Sequence, residues 1–192
     1  MKKNTAQNII EAAAPLIHRR GFHHTGLKEI VEAAGVPKGS FYFYFKSKED
    51  FGLALIDHYS QSLYEDAPAL GDASEKPALE RLRKAFEAHR DIRVGQGCEG
   101  GCPLGNLAQE MSDLSPRMRE RLQKNFNAIV ANIASLLREA RERGEVPDDL
   151  DIDQTAGFIF DAWEGALLRM KTEKSVEPVD RFLRVVFDKV LA

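Results

Sequence analysis

The 192 residues are 43% hydrophobic and 30% charged, a composition that argues against disorder and favours a globular protein. The net charge of −3 divides into +3 over residues 1–50 and −6 over the remainder, so the N-terminal end favours a polyanionic partner, unless solvated charges cluster there by chance. No apolar run approaches the roughly 18 residues of a membrane span, and the first residues lack the apolar core of a signal peptide, so we expect a cytoplasmic protein with no membrane partner.

Apolar residues recur at helical spacing almost throughout, and no segment alternates with the period of two that is typical of a strand. The turn-rich segment 66–78 indicates a connector between a small basic bundle and a larger one. Ser47 and Asp50 have the spacing of a capping box at the start of a helix. The pattern therefore predicts an all-α protein of about nine helices, near residues 5–20, 27–34, 38–45, 47–63, 79–92, 103–111, 115–143, 153–171 and 178–191.

Five consecutive aromatic residues, at positions 41–45, stand between lysines. Residues 27–45 have the spacing of a helix-turn-helix, with a glycine-containing turn at 35–37 and a second helix that would enter a DNA major groove. Phe41 and Phe45 are four residues apart and share a face, so we expect them in the core. The other sides would carry residues that suit phosphates, sugars and thymine methyl groups, namely Lys38, Ser40, Tyr42, Phe43 and Tyr44.

The stretch TGLKEIVEAAGVPKGSFYFYFKSKED resembles the N-terminal domain of the TetR family of bacterial one-component repressors. That family's pattern is a helix, Ala-Gly-Val, Lys-Gly-Ser/Thr-Leu/Phe-Tyr-x-Tyr/His-Phe and then Lys-Ser/Asn-Lys-Glu, and the match covers about residues 8–56. Members usually have Thr or Ser where this chain has Gly26, so Thr25 is expected to supply the hydroxyl. The resemblance implies phosphate anchors at Thr25, Lys28 and Lys48, and an operator-facing set of Lys38, Gly39, Ser40, Tyr42, Phe43 and Tyr44.

The resemblance also implies a DNA-binding domain over residues 1–50 and an effector-binding and dimerisation domain over residues 51–192. The expected protein is a homodimeric regulator, most simply a repressor, that binds a palindromic double-stranded operator and a small-molecule effector. It would be no enzyme and would need no cofactor or metal. The effector region is expected to include Phe126 and Trp163.

The last two predicted helices carry more apolar surface than a monomer would expose, independently of any resemblance. Pairing them about a two-fold axis would bury this surface and present two recognition helices to a palindromic site. Alternatively, these helices cover only the core of their own chain. The predicted interface comprises Phe160, Leu167, Phe182, Val186 and Phe187.

Cys98 and Cys102 flank Glu-Gly-Gly just before a predicted helix that begins at Pro103. The positive end of that helix would favour a thiolate. The phrase GCPLGNLAQE is similar to that of a branch of the family whose regulators answer to reactive electrophiles and unsaturated carbonyl compounds. Three interpretations stay open: a buried pair that packs a tight loop, an electrophile- or redox-sensing thiol, and a metal site that would need two further ligands. Asn106 and Glu110, one turn apart, would either line the effector pocket or face solvent.

Two other classes of function compete. A helical thiol-redox protein would use Cys98 and Cys102 as its redox pair, but it would have no use for exposed Tyr42 and Tyr44 among lysines. A helix-turn-helix protein could also organise the chromosome instead of controlling a promoter.

Overall fold

The computed structural model describes residues 5–65 and 76–192, and these ranges contain helices and no strand. The prediction of an all-α fold is confirmed, and no helix among these residues is long and apolar enough to cross a membrane. The predicted connector at 66–78 lies mostly outside the described residues. The α-helices are α1 (Thr5–Arg20), α2 (Leu27–Ala33), α3 (Lys38–Tyr44), α4 (Lys48–Glu65), α5 (Ala78–Gly95), α6 (Pro103–Met111), α7 (Pro116–Glu142), α8 (Ile152–Glu173) and α9 (Glu177–Val185).

The last predicted helix ends differently from the expectation. After α9 the chain continues as a π-helical turn over Val186–Val190. The backbone N–H of Leu191 donates to the carbonyl of Val186 at 3.0 Å, five residues back instead of four. Val186 and Leu191 are each 1% exposed, so this turn keeps both side chains in the interior.

The chain forms two compact units, and neither is continuous in sequence. The first unit comprises the described residues up to Gln61 together with Pro103–Gln123. The second comprises the described residues of Ser62–Cys102 together with Lys124–Ala192. Helix α6 thus belongs to the unit of the N-terminal helices. The predicted division into residues 1–50 and 51–192 would place it in the other domain. That division stays a prediction about domains.

The first unit is built on α1, which buries one face. Ile9 and Ala13 are fully buried and Ile17 is 3% exposed, as expected for apolar residues spaced four apart on a helix. The hydroxyl of Tyr59 on α4 donates to the carbonyl of Ala14 at 2.6 Å, and burial raises the pKa of this phenol. The predicted cap of α4 is confirmed, because the N–H of Asp50 donates to the Ser47 hydroxyl at 3.0 Å.

Helix α4 is also tied to the first turns of α7 within this unit. The Ser115 hydroxyl donates to one carboxylate oxygen of Glu49 at 2.5 Å, and Arg117 donates to the other at 2.8 Å. Arg117 also bonds Asp50 at 2.8 Å. The bond from Ser115, followed by that from Arg117, holds the pKa of Glu49 below its usual range. Charge-assisted hydrogen bonds therefore hold the start of α7 against the start of α4.

The second unit has an aromatic centre. The ring centroid of Trp163 lies 4.9 Å from that of Phe86 and 5.2 Å from that of Phe182, and the three side chains are 6–7% exposed. Offset and edge contacts of this kind stabilise a core beyond simple area burial, by about 0.5–1.5 kcal/mol for each pair. Buried Arg81 on α5 is neutralised by Glu139 on α7, at 2.9 Å.

Candidate nucleic-acid interface and cysteine loop

Helix α3 separates the aromatic run into an inner and an outer set. Phe41 is fully buried and Phe45 is 6% exposed. Their ring centroids lie 5.2 Å apart, and both rings pack against Phe51 of α4 at 5.7 and 5.3 Å. The predicted core role of these two phenylalanines is confirmed. Because α3 has a single buried face, the residues between them must point away from the core.

The outer set consists of three large aromatic side chains. Tyr42 is 52% exposed, Phe43 is 81% exposed and Tyr44 is 40% exposed. The ammonium of Lys38 lies 5.9 Å from the centre of the Tyr42 ring. Lys46, just beyond α3, is exposed as well. The second helix of this helix-turn-helix thus presents aromatic rings, phenolic hydroxyls and positive charge to solvent.

The small residues at the start of α3 leave space on its surface. A Cβ placed on Gly39 would meet no atom within 4 Å, so the packing of this unit does not require glycine there. Ser40 is half-buried. On α2, Lys28 is exposed and lies 3.8 Å from Glu32. The position of Lys28 therefore suits a phosphate anchor, and those of Gly39 and Ser40 suit the operator-facing set; both assignments stay predictions.

Thr25 does not have the geometry of a phosphate anchor. Its side chain is 1% exposed, and its hydroxyl donates to the carbonyl of Gly21 at 2.7 Å. The N–H of Gly26, at the start of α2, donates instead to the carboxylate of Glu29 at 2.8 Å. The hydroxyl expected from Thr25 is thus used to close the turn before α2.

Lys48 also bonds within the chain. Its ammonium donates to the carbonyl oxygens of Phe22 at 2.6 Å and His23 at 3.2 Å. Burial lowers the pKa of this ammonium, against the opposing charges of Glu110 and Glu29. Because two of its three N–H groups are engaged in these bonds, the side chain stabilises the turn at residues 22–23.

Glu110 binds the other side of that turn. Its two carboxylate oxygens accept the backbone N–H groups of Phe22 at 2.8 Å and His23 at 2.5 Å. Gly21, at φ +90°, would place a Cβ 3.2 Å from this carboxylate, so glycine suits both the turn and the approach of Glu110. Glu110 therefore neither lines an effector pocket nor faces solvent freely. Asn106, one turn earlier on α6, is half-buried.

The cysteine loop, residues 97–102, has an unusual backbone. Gly97, Cys98, Gly100 and Gly101 have φ values of 74°, 58°, 79° and 68°. The left-handed region is uncommon for a residue with a side chain, so Cys98 is held there by its surroundings, including the bond from its N–H to the Arg93 carbonyl at 2.9 Å. Neither cysteine forms a disulfide, and both residues are 9% exposed. Among the described residues no cluster of three or more His, Cys, Asp or Glu side chains has the arrangement of a metal site.

A carboxylate that the sequence did not indicate lies beside the loop. Glu164 on α8 is half-buried, and its side chain hydrogen-bonds with Cys102. Burial raises the pKa of Glu164, although the bond with Cys102 and the charge of Arg93 act in the opposite direction. The sequence signal that could have indicated Glu164 is its position directly after Trp163, on a helix with a buried face. Its proximity to the loop depends on tertiary packing.

The residues expected at the dimer interface lie largely inside one chain. Phe160, Leu167, Phe182 and Val186 are only 1–7% exposed within a single chain. Phe187 is half-buried against Phe86 and Arg83. Of the candidate effector residues, Trp163 belongs to the same centre, and half-buried Phe126 lies 5.3 Å from Phe160.

The apolar surface that α8 and α9 leave open is a different set. Phe158 is 52% exposed, Leu168 is 49% exposed and Val185 is 45% exposed. A groove runs between the two helices, with Arg169 and Arg181 among its lining residues, and its apolar lining is Phe158, Ala162, Ala166, Pro178, Phe182, Val185 and Val186.

A helix-turn-helix with an exposed aromatic and basic second helix, joined to a separate helical unit, defines a DNA-binding transcriptional regulator. Residues 9–55 match the family model of bacterial regulatory proteins of the tetR family, and residues 78–186 match that of the tetracyclin repressor-like C-terminal domain. The chain belongs to the TetR family. Members of this family are DNA-binding proteins and not enzymes, so the thiol-redox alternative is not favoured.

Individual relatives resemble the chain over nearly its whole length. The transcriptional repressor DhaR of Mycobacterium sp. (strain GP1) is 35% identical over 96% of this chain and 91% of its own. The transcriptional regulator AcuR of Cereibacter sphaeroides is 39% identical over 93% and 81%. Among solved structures, a regulatory protein TetR from Rhodobacter sphaeroides has a TM-score of 0.88 at 37% identity, covering 95% of this chain and 96% of that one. The reduced form of E. coli NemR has a TM-score of 0.81 at 31% identity, covering 98% and 97%.

Proposed function

We propose that the protein represses transcription as a homodimer that holds a palindromic operator through α3 and lets it go when an effector acts on the second unit. The observation that carries this proposal is the division of the aromatic run. Phe41 and Phe45 are buried in the core, while Tyr42, Phe43 and Tyr44 are 40–81% exposed on the helix that should enter the major groove. Relatives named as repressors support repression over activation. A DNA target also implies a cytoplasmic protein.

The operator-facing surface consists of α3 and its surroundings. The hydroxyls of Tyr42 and Tyr44 would donate to phosphates, and Lys28, Lys38 and Lys46 would neutralise phosphate charge. Ser40 would contact a base edge or a phosphate, and Gly39 would let the DNA backbone approach. Thr25 and Lys48 would contribute indirectly, because their side chains hydrogen-bond the turn before α2 and so stabilise the position of that helix.

Dimerisation is assigned to the groove between α8 and α9. Its exposed apolar residues, Phe158 and Val185 among them, would remain in contact with water in a monomer. A two-fold axis through this groove would bury the same patch of each copy and present two α3 helices to adjacent half-sites, about one helical turn of DNA apart. Phe187, half-buried beside these helices, would contribute at the edge.

Release has two candidate routes. A small molecule could lie among the apolar residues of the second unit, near Phe126 and Trp163. Alternatively, the thiol of Cys98 or Cys102 could add to an α,β-unsaturated carbonyl compound, with sulfur bonding the β-carbon and the thiol proton ending on the α-carbon. The thiol route is supported by the left-handed Cys98, by the bond between Cys102 and Glu164, and by a relative solved in a form named as reduced.

The thiol route would reach the DNA-binding helices through α6. The chain passes from Cys102 directly into α6, which begins at Pro103, and Glu110 near the end of α6 bonds the turn that precedes α2. A shift of α6 would therefore move the turn and with it the helix-turn-helix. Such coupling between an effector site and a DNA site is a free-energy linkage, so operator binding must in turn weaken effector binding by the same factor.

Enrichment of duplexes from a randomised DNA library by the full-length protein tests the proposed function. We expect a palindrome with half-sites about one helical turn apart, bound with an affinity that falls steeply with salt. Weak binding with no enriched sequence would favour the chromosome-organising role instead. For release, an enone such as 2-cyclohexenone is added to the complex of the wild type, Cys98→Ser and Cys102→Ser. Equal release from all three and from the Cys98→Ser/Cys102→Ser double variant would place the effector in the apolar bundle.

A further inference from the structure

Phe43 is the most exposed large hydrophobic side chain of the described residues, at 81%. The centre of its ring lies 4.9 Å from that of Tyr44, edge to face, so the neighbour supports one side of the ring and leaves the rest in water. The core of this unit is filled by Phe41, Phe45 and Phe51. Among the residues that the structure describes, no packing contact therefore requires a phenyl ring at position 43.

The chemistry of this ring differs from that of its neighbours. Tyr42 and Tyr44 carry hydroxyls and Lys38 carries a charge, so each can bond a phosphate or a polar base edge. A phenyl ring can neither donate nor accept a conventional hydrogen bond at a base edge. The major-groove edges of the four standard base pairs expose one apolar group, the 5-methyl group of thymine. An apolar ring that projects into this groove thus has one favourable partner among the standard bases.

We propose that the ring of Phe43 reads a thymine in each operator half-site by packing against its 5-methyl group. The inference rests on the proposed function, because it places α3 in the major groove. It adds a specificity that phosphate contacts lack, since phosphates carry no base identity. Phe43 is thereby a sequence-reading residue, whereas Lys38 and the tyrosine hydroxyls mainly position the protein on the duplex.

The size of the effect follows from the area of one methyl group. Burial of a single CH₂ or CH₃ group changes an equilibrium constant by about fourfold, at roughly 0.8 kcal/mol. A homodimer on a palindrome uses the contact twice. Loss of both methyl groups is therefore expected to weaken operator binding by about 15-fold, because the two fourfold factors multiply.

Deoxyuridine provides the direct test, because it differs from thymidine by this methyl group alone. The palindrome enriched from the randomised library is resynthesised with deoxyuridine at one thymine position of both half-sites at a time. Full-length wild-type protein is then titrated against each duplex. We expect one position, the same in both half-sites, at which the change weakens binding by about 15-fold.

Phe43→Ala, Phe43→Leu and a matched control complete the experiment. Phe43→Ala should bind the thymine and the deoxyuridine duplexes equally, whereas Phe43→Leu, still apolar, should keep part of the discrimination. The salt dependence of binding should not change in either variant, because no phosphate contact is lost. Leu114→Ala, which removes a 63%-exposed apolar side chain outside the helix-turn-helix, should behave as wild type.

The outcomes separate this inference from the proposed function. An enriched palindrome on which no deoxyuridine change alters wild-type affinity more than twofold overturns the inference and leaves the proposed function standing. Equal discrimination by wild type and a folded Phe43→Ala assigns the methyl contact to another residue and also overturns it. Failure to enrich any sequence would overturn the proposed function and the inference with it.

Discussion

Glu110 and Lys48 bind the same two residues from opposite sides. Glu110 accepts the N–H groups of Phe22 and His23, and Lys48 donates to the carbonyl oxygens of the same pair. A turn held at both its donors and its acceptors cannot shift unless one of the two helices that supply them also shifts. Movement of α6 would therefore reach the start of the helix-turn-helix through the two hydrogen bonds of Glu110, and movement of α4 through the two of Lys48.

Removal of the Glu110 carboxylate should loosen that turn. Glu110→Ala leaves two backbone N–H groups without their partner, and we expect a loss of about 1–3 kcal/mol in the free energy of unfolding, measured in urea. Operator affinity should also fall, because α2 and α3 follow the turn. Glu110→Gln keeps one acceptor oxygen, so its stability and operator affinity should lie between those of Glu110→Ala and the wild type. Exposed Glu120→Ala on α7 is the control, and equal stability of the Glu110→Ala and wild-type proteins would contradict this role.

Two lysines near α3 should separate stability from DNA contact. Lys48→Met loses both bonds to the turn, so it should lower the free energy of unfolding by about 1–3 kcal/mol and leave the salt dependence of operator binding unchanged. Lys38→Met should do the reverse, with unchanged stability and a salt slope reduced by about one unit for each half-site. A flatter slope in Lys48→Met would show that its remaining N–H group contacts a phosphate after all.

Gly39 should be replaceable for folding but not for binding. A Cβ at this position meets open space, and alanine is about 1 kcal/mol better than glycine inside a helix. Gly39→Ala should therefore unfold at the same or a higher urea concentration while binding the operator more weakly. Gly95→Ala on α5, where a Cβ also meets nothing, tests the same propensity away from α3. Normal operator binding by Gly39→Ala would refute a close approach of DNA at this helix.

A charge in the groove between α8 and α9 should prevent dimerisation. Phe158→Glu or Val185→Glu would bury an unpaired carboxylate at the interface, at a cost of several kcal/mol. Because both side chains are about half exposed, the monomer should fold normally and sediment as a single copy. Operator binding should then fall sharply although α3 is untouched. Val94→Glu on α5, 41% exposed in the wild type, should remain dimeric. Dimeric Phe158→Glu and Val185→Glu proteins would move the interface elsewhere.

Stability should depend on pH through Glu164. Because burial raises the pKa of this carboxyl in the folded chain, its contribution to stability is complete below the unfolded pKa, near 4.5, and is lost as pH rises through the folded value. Glu164→Gln stays neutral and should remove this loss, so its stability relative to wild type should increase with pH above about 4.5. Exposed Glu142→Gln serves as the control. A constant difference between Glu164→Gln and wild type across this range would contradict the assignment.

Local patterns predicted most of the helices and the inner half of the aromatic run. The bounds of α1 and the burial of Phe41 and Phe45 follow from helical spacing and from glycine at the helix end, which act over a few residues. The partners of Thr25, Lys48 and Glu110 did not follow. Each bonds backbone groups, and those of Glu110 lie 87 and 88 residues away in the sequence. A single sequence shows which side chains are polar, but not which peptide groups they will meet.

The residues predicted for the dimer interface differ from the apolar residues that α8 and α9 expose, for a related reason. Helices α8 and α9 are apolar on more than one side, and periodicity cannot tell which side covers the chain's own core. Large aromatic residues such as Phe182 were chosen for their size, and the structure buries them first because they fill the aromatic centre. The apolar residues that stay exposed on these helices are others, among them Phe158, Leu168 and Val185.

The π-helical turn at Val186–Val190 bears on how this chain tolerates changes in length. Such a turn holds one residue more than an α-helical turn, so Leu191 is buried beside Val186 although it follows five residues later instead of four. Deletion of one residue within the turn would permit an ordinary α-helix and leave Leu191 on the same side. A deletion in the regular part of α9 would instead rotate everything after it by about 100°. The turn is thus a place where the chain can lose a residue without reorienting Leu191.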